Sequence, residues 1–196
     1  QEIRQTIIGG YMLQFQKANS SDFAATRQFY WDVIEDIHKN NTANENLGWE
    51  KGVYPSDDFI RTSLEKGELY TLADGGVLYA CVILNSECNE GYRGCPWGIT
   101  CEPAEVLIPH ALAVHPRMQG KGIGKIVVGH VLDLAEQEHK KAVRLDVLGA
   151  CKAAEALYRS CGFAFVAAKN MYYEDTGWTE YRLFERNLPV EPMPDM

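Results

Sequence analysis

The sequence predicts an α/β domain of the mixed α+β kind, a sheet flanked by helices with a parallel pair of strands at its centre. Three observations carry this expectation. Strand-like and helix-like periods follow in the order β-α-α-β-β-β-α-β-α-β-β. In the middle of the chain a strand, a helix and a second strand succeed one another, the arrangement that lets neighbouring strands run parallel. At that junction stands "HPRMQGKGIGK", residues 115–125, with three glycines between the end of a strand and the start of a helix. The 196 residues suit one domain of ordinary size, expected over residues 11–188, with an N-terminal arm or extension at 1–10 and a tail at 189–196.

Each element has a local reason. "YMLQFQKA" alternates apolar and polar positions and reads as a strand. From Ser21 the period becomes helical, with Phe23, Tyr30, Val33, Ile34 and Ile37 at threes and fours and Ser20 or Ser21 as cap. "NNTANENLGWEKGVYP" is a loop by composition. "SDDFIRTSLEKG" is a short helix, capped by Ser56, with acids in its first turn and Gly67 as its stop. "ELYTLAD" and "VLYACVILN" flank Asp74-Gly75-Gly76, a hairpin signal. "SECNEGYRGCPWGITCEPA" is a long irregular connection. "EVLIPHALAVHP" is an apolar strand that ends at Pro116, which cannot continue a central ladder. Ile123, Ile126, Val127, Val131, Leu134 and Ala135 then form one helical stripe, running to about Glu138. "AVRLDVL" is a strand with Val143, Leu145 and Val147 on one face, and "CKAAEALYRSCG" a helix ending at Gly162. "FAFVAAKNMYY" and "WTEYRLFERNL" close the chain as two strands joined at Asp175-Thr176-Gly177.

Composition removes several classes of function. Hydrophobic residues make up 46% and charged residues 23%, an ordinary globular balance. A net charge of −8 and a pI near 5.1 argue against a nucleic-acid binder, which would carry a basic field. No stretch approaches the ~20 apolar residues that span a membrane. The opening "QEIRQTIIGGY" lacks the apolar run of a signal peptide. None of the six cysteines forms a CxxC pair, so no metal site is expected, and a reducing cytoplasm is the expected location.

An acidic chain that gathers glycine and positive charge at one turn invites an anion there. The first four N–H groups of a helix lack intrahelical partners, and the helix dipole adds positive potential. Glycines let an anion approach the backbone, and Lys121 and Lys125 add charge. The Walker A pattern fails twice, because Ile126 follows Lys125 and Gln119 stands where the first glycine belongs. The dinucleotide pattern GxGxxG fails once, at Lys125, and Asp146 is a weak echo of its ribose-binding acid. The pattern Q/R-x-x-G-x-G/A is matched in full by Gln119, Gly122 and Gly124.

With those residues "LAVHPRMQGKGIGKIVVGHVLDLAEQE" resembles the acetyl-CoA-binding segment of the GNAT superfamily, the acyl-CoA-dependent N-acetyltransferases. "AAEALYRSCGFAFV" resembles that family's later A-x-x-L-Y-x-x-x-G-F segment, at Ala154, Leu157, Tyr158, Gly162 and Phe163. The two motifs come in the family's order, and the resemblance covers Tyr11 to about Leu188. It implies a fold with two splayed central parallel strands and acetyl-CoA as acyl donor between them. The pantetheine arm would meet backbone groups of Leu112, Ala113 and Val114. The pyrophosphate would meet the amides of Gln119, Gly120, Lys121, Gly122, Ile123, Gly124 and Lys125. Cys151 stands where the family often has a cofactor-binding Asn.

The resemblance further implies acetyl transfer to a primary amine by direct attack through a tetrahedral intermediate. Tyr158 would be the acid that protonates the leaving thiolate, and the Val114 N–H would polarise the thioester carbonyl. A phenol stays protonated at neutral pH and suits the first role. For the base, His110 shares alternation parity with Leu112 and Val114, and Glu105 is the rival. Trp49, Tyr54, Trp97, Tyr172 and Tyr173 are candidates to line the acceptor pocket. The acceptor, a small-molecule amine or a peptide or protein amine, stays open, as do acyl length and a homodimer. Two other readings remain: a non-catalytic acyl-CoA-binding sensor or interaction domain, and a nucleotide enzyme of Rossmann type.

Overall fold

In the computed structural model, which describes residues 4–8, 10–40 and 48–189, the expected elements form in the expected order, with one strand added. The strands are β1 (Arg4–Ile8), β2 (Tyr11–Lys17), β3 (Leu69–Asp74), β4 (Val77–Asn85), β5 (Val106–Val114), β6 (Ala142–Leu148), β7 (Ala164–Tyr173) and β8 (Gly177–Asn187). The helices are α1 (Phe23–Asn40), α2 (Asp57–Glu65), α3 (Ile123–Gln137) and α4 (Lys152–Ser160). The added strand comes from the residues expected as an arm. β1 pairs antiparallel with β2, and Arg4 reaches Asp133 on α3 at 3.3 Å. Part of the loop after α1, residues 41–47, and the tail from 190 lie outside the described residues.

The caps follow local chemistry, with one correction. Ser56 Oγ accepts the Phe59 N–H at 3.1 Å and starts α2 as expected. Neither Ser20 nor Ser21 caps the first helix. Asn19 does so, through a single 3-10 turn: its Oδ1 accepts the Ser21 N–H at 2.9 Å, while Asp22 Oδ2 accepts the Asn19 N–H at 2.8 Å. An amide oxygen and a carboxylate satisfy two orphan donors reciprocally, as in a capping box.

One eight-stranded sheet runs β1-β2-β3-β4-β5-β6-β8-β7, and β5–β6 is its parallel pair. Helices α3 and α4 cover one face through Ile123, Val127, Val131, Ala135 and Tyr158, packed on Leu72, Ala80, Val82, Val143, Leu145 and Phe184. Helices α1 and α2 cover the other through Phe29, Tyr30, Val33, Ile60 and Leu64, packed on Leu69, Cys81, Ile83, Ala111 and Ala113. The connection 86–105 continues that second layer, where Tyr92 and Trp97 meet Val106, Ile108, Met171 and Leu183. Each fully buried aliphatic side chain contributes about 1.5–3 kcal/mol, so the two layers hold the sheet from both sides.

Candidate active site

The gap comes first. β5 and β6 pair at Val106–Ala142 and Leu107–Val143 and then part. β6 turns wholly to β8, pairing along its length, and β5 keeps its ladder with β4. The His115 N–H donates to Tyr79 O on β4 at 2.9 Å. By two-residue alternation the Ala113 N–H points the same way, so Leu112 and Val114 turn theirs into the gap. The expectation that Ala113 offers backbone groups to a ligand is thereby corrected: its amide belongs to the β4 ladder. Gln119 Nε2 donates to Val114 O at 3.3 Å across the mouth of the gap.

The anion cradle follows at the end of β5. The N–H groups of Gly120, Lys121, Gly122, Ile123, Gly124 and Lys125 donate to no protein acceptor among the described residues. Gln119 departs from the expectation, since its N–H turns back to Pro116 O at 3.3 Å. Lys121 and Lys125 are exposed at this turn. The glycines serve different ends. Gly120 (φ +72°) and Gly122 (φ +80°) adopt the left-handed conformation, and a Cβ on either meets nothing. Gly124 instead admits Leu157 of α4, whose Cδ2 would lie 3.1 Å from a Cβ. Gly122→Ala is therefore expected to cost about 1–2 kcal/mol in backbone strain alone, read as a lowered urea midpoint at unchanged m-value.

Tyr158 stands on the α4 side of the gap. It is 7% exposed, with its ring edge-on to Phe163 at 5.5 Å. Its hydroxyl makes no hydrogen bond to the described protein. Burial pushes its proton affinity well above that of a free phenol, and the nearby Cys151, Asp146 and Cys161 add to the effect. It therefore carries its proton throughout the neutral range. Cys151 precedes α4 and makes no capping hydrogen bond through its sulfur.

The opposite side of the gap differs from the expectation. At Ala111 (φ +48°) β5 bulges, and the register with β4 slips between Cys81 and Ile83. Tyr30 O–H donates to Ala111 O at 2.9 Å and buttresses the bulge from α1. The extra residue breaks the alternation. His110 pairs beside Ile83 on the α1/α2 face, whereas Val114 pairs beside Ala80 on the α3/α4 face. The parity of His110 with Leu112 and Val114 is corrected accordingly. Its Nε2 lies 2.9 Å from Asn85 Oδ1, its ring stands edge-on to Phe59, and burial lowers its proton affinity. Glu105 is occupied elsewhere: Lys141 lies 2.6 Å away and holds its carboxyl below the usual range.

The acid that faces this side of the gap is Asp146. It stands beside Leu183 on β8, on the face that carries His110 and the 86–105 connection. Tyr92 O–H and Tyr173 O–H both donate to its Oδ2, at 2.8 and 2.9 Å. Oδ1 has no donor among the described residues. Burial raises its proton affinity, the two phenols oppose that, and Asp175 adds to it. Of the aromatic candidates, Tyr173 touches this acid directly, and burial together with Asp146 and Asp175 holds Tyr54 protonated. Trp49 stands edge-on to Tyr54 at 6.0 Å. Trp97 packs behind, over Arg144, and Tyr172 is exposed beside Trp178. Sequence reasoning weighed Asp146 only as an echo of a ribose-binding acid and passed over Tyr92. The signal was there in "AVRLDVL", where Arg144 and Asp146 occupy the second face of a strand whose first face is apolar.

The arrangement can bind an anionic carrier at six free amides, admit a chain between diverging strands, and hold a protonated phenol and a carboxylate on opposite sides. The acetyltransferase (GNAT) family model matches residues 31–163 of this chain. N-alpha-acetyltransferase RimI of Mycobacterium tuberculosis (strain ATCC 25618 / H37Rv) is 38% identical over 74 residues, 38% of this chain and 45% of that protein. The uncharacterized N-acetyltransferase YesJ of Bacillus subtilis (strain 168) is 29% identical over 153 residues, 78% of each chain. The chain covers less than half the length of the first two curated relatives it matches. A GNAT superfamily phosphinothricin acetyltransferase of Sinorhizobium meliloti, in complex with acetyl-CoA, shares the fold at a TM-score of 0.63 and 16% identity, covering 90% of this chain and 88% of that one. Splayed strands, glycine turn and family match agree, and the chain belongs to the acetyltransferase (GNAT) family.

Proposed function

We propose that the protein transfers an acetyl group from acetyl-CoA to an amine. One observation carries this reading: free amides at Gly120 to Lys125 open beside a gap between two parallel strands that pair at only two positions. The bound acetyl-CoA in the Sinorhizobium relative's structure supports the choice of donor. The pyrophosphate of the donor lies on those amides, with Lys121 and Lys125 near its charge. The pantetheine arm runs along β5, where Leu112 and Val114 offer gap-side amides. The Val114 N–H polarises the thioester carbonyl and receives the developing oxyanion.

The acceptor enters from the α1/α2 face, past Tyr54 and Tyr173. An alkyl ammonium, with a pKa of about 10.4 in lysine, must lose a proton before it attacks. Asp146 Oδ1 takes that proton, a role its position supports better than that of His110, whose ring is held at Asn85. The raised proton affinity of Asp146 brings it closer to neutral and improves it as a base. The C–N bond forms, the tetrahedral intermediate collapses, and the C–S bond breaks. Tyr158 gives its proton to the departing thiolate on the other side of the gap, the attacking nitrogen sheds its second proton to solvent, and solvent reprotonates the phenolate.

Free CoA thiol, measured with acetyl-CoA and a panel of small amines, amino acid esters and peptides, tests the activity. Turnover on one class is expected. Saturable CoA binding with no turnover on any amine would instead leave an acyl-CoA-binding sensor. Tyr158→Phe is expected to lower kcat by about 10²-fold or more while acetyl-CoA affinity holds. Equal kcat in the variant removes Tyr158 from the mechanism.

A further inference from the structure

The connection 86–105 is long, and beyond its single turns at Glu90–Tyr92 and Pro103–Glu105 it has no regular structure, yet it is firmly held. The Gly98 N–H donates to Glu185 Oε2 at 2.7 Å, and Arg144 Nη2 donates to Ile99 O at 2.6 Å. Arg144 and Glu185 form an ion pair at 2.9 Å, 8% and 5% exposed, with Trp97 over the guanidinium at 4.4 Å. Lys169 Nζ donates to Gly91 O at 2.8 Å, and Asn89 Nδ2 to Tyr172 O at 3.0 Å. At Gly91 a Cβ would lie 2.4 Å from Met171 Sδ, so the backbone sits directly on β7. Desolvating an ion pair is costly, and here it fixes a loop to the neighbouring strands β6 and β8. What that loop delivers to the site is the Tyr92 hydroxyl.

We infer that the 86–105 connection is part of the catalytic apparatus, and that Tyr92, with Tyr173, is a positioning residue that holds Asp146 by Oδ2 and leaves Oδ1 for the acceptor amine. The inference rests on the reading of Asp146 as the proton acceptor. Two phenols on one oxygen fix the carboxyl plane and stabilise its charged form against burial. The other titratable groups facing it are Tyr54 before α2, Tyr158 on α4, Tyr181 on β8, Asp175 on the β7–β8 turn and Cys88 at the start of the connection. Of these Asp175 is the one carboxyl, burial raises its proton affinity as well, and it is the same in every variant. Arg144, two residues earlier, is paired with Glu185.

The sign follows from the hydrogen bonds. Asp146 works deprotonated, so kcat falls as pH drops through its titration. Removing one phenol donor destabilises the carboxylate and moves that titration to higher pH. Two readouts test this with acetyl-CoA present. The first is the titration of the Asp146 carboxyl carbon by NMR in CoA-bound protein, assigned with Asp146→Asn. The second is the acidic limb of kcat with the fastest amine of the panel. Tyr92→Phe and Tyr173→Phe are each expected to raise both midpoints by about one pH unit, with activity at high pH recovering to within a few-fold. CoA affinity, unchanged in each variant, reports folding, and Tyr173→Phe carries the test if Tyr92→Phe does not fold. Midpoints unmoved in folded variants overturn the inference. Full activity in Asp146→Asn overturns instead the reading on which it rests.

Discussion

Asp146→Asn is expected to lower kcat by about 10²- to 10⁴-fold and to leave acetyl-CoA affinity within about a factor of two. The substitution is nearly isosteric. The asparagine oxygen can still accept the phenols of Tyr92 and Tyr173, which now donate to Oδ2 at 2.8 and 2.9 Å. What it cannot do is take a proton from an ammonium. The loss should therefore fall on kcat and on kcat/KM for the amine, not on the donor side, where the Gly120–Lys125 amides are untouched. His110→Gln is the contrasting variant. The glutamine can still meet Asn85, and only a few-fold loss is expected, because the His110 ring faces Asn85 and Phe59 on the far side of the bulge. Single-turnover rates with isothermal titration of acetyl-CoA separate the two. A fast Asp146→Asn enzyme beside a slow His110→Gln enzyme would return the base role to the histidine.

The largest effect on stability is expected at Glu185. Glu185→Ala should cost about 3–5 kcal/mol in urea denaturation, because it leaves the Arg144 guanidinium buried without its partner. It also removes the acceptor of the Gly98 N–H. Against a typical total of about 5–15 kcal/mol that is a large fraction. The double variant Arg144→Met with Glu185→Leu should recover most of the loss, since no charge then remains buried. It should nevertheless stay slow in catalysis, because Ile99 and Gly98 lose their anchors and the connection no longer holds Tyr92 in place. Stability restored together with full kcat would show that the ion pair serves folding alone.

Much of the fold was legible along the chain because its signals are local. The capping Ser56, the Asp74-Gly75-Gly76 turn and the stripe from Ile123 to Ala135 are each decided within a few residues of themselves. β1 was not legible. "RQTII" has a polar, edge-strand composition, and its contacts are distant: Thr6 Oγ1 lies 3.0 Å from His130 Nε2, and Arg4 meets Asp133. The donor half of the site was legible for the same reason as the helices. An anion cradle is built from consecutive amides, so its residues are neighbours in sequence as well as in space.

The sequence by itself determined the order of elements from β2 onward, the glycine turn before α3 and the tyrosine of α4. Tertiary structure alone decided which side chains face the acceptor. A strand's alternation is a local rule, but the bulge at Ala111 reverses it, and the bulge is braced by Tyr30 from 81 positions away. Asp146 acquires its Tyr92 partner across 54 positions, through a connection whose path is set by a buried ion pair. Contacts between residues so far apart depend on how the layers pack, and no periodicity within one segment encodes them.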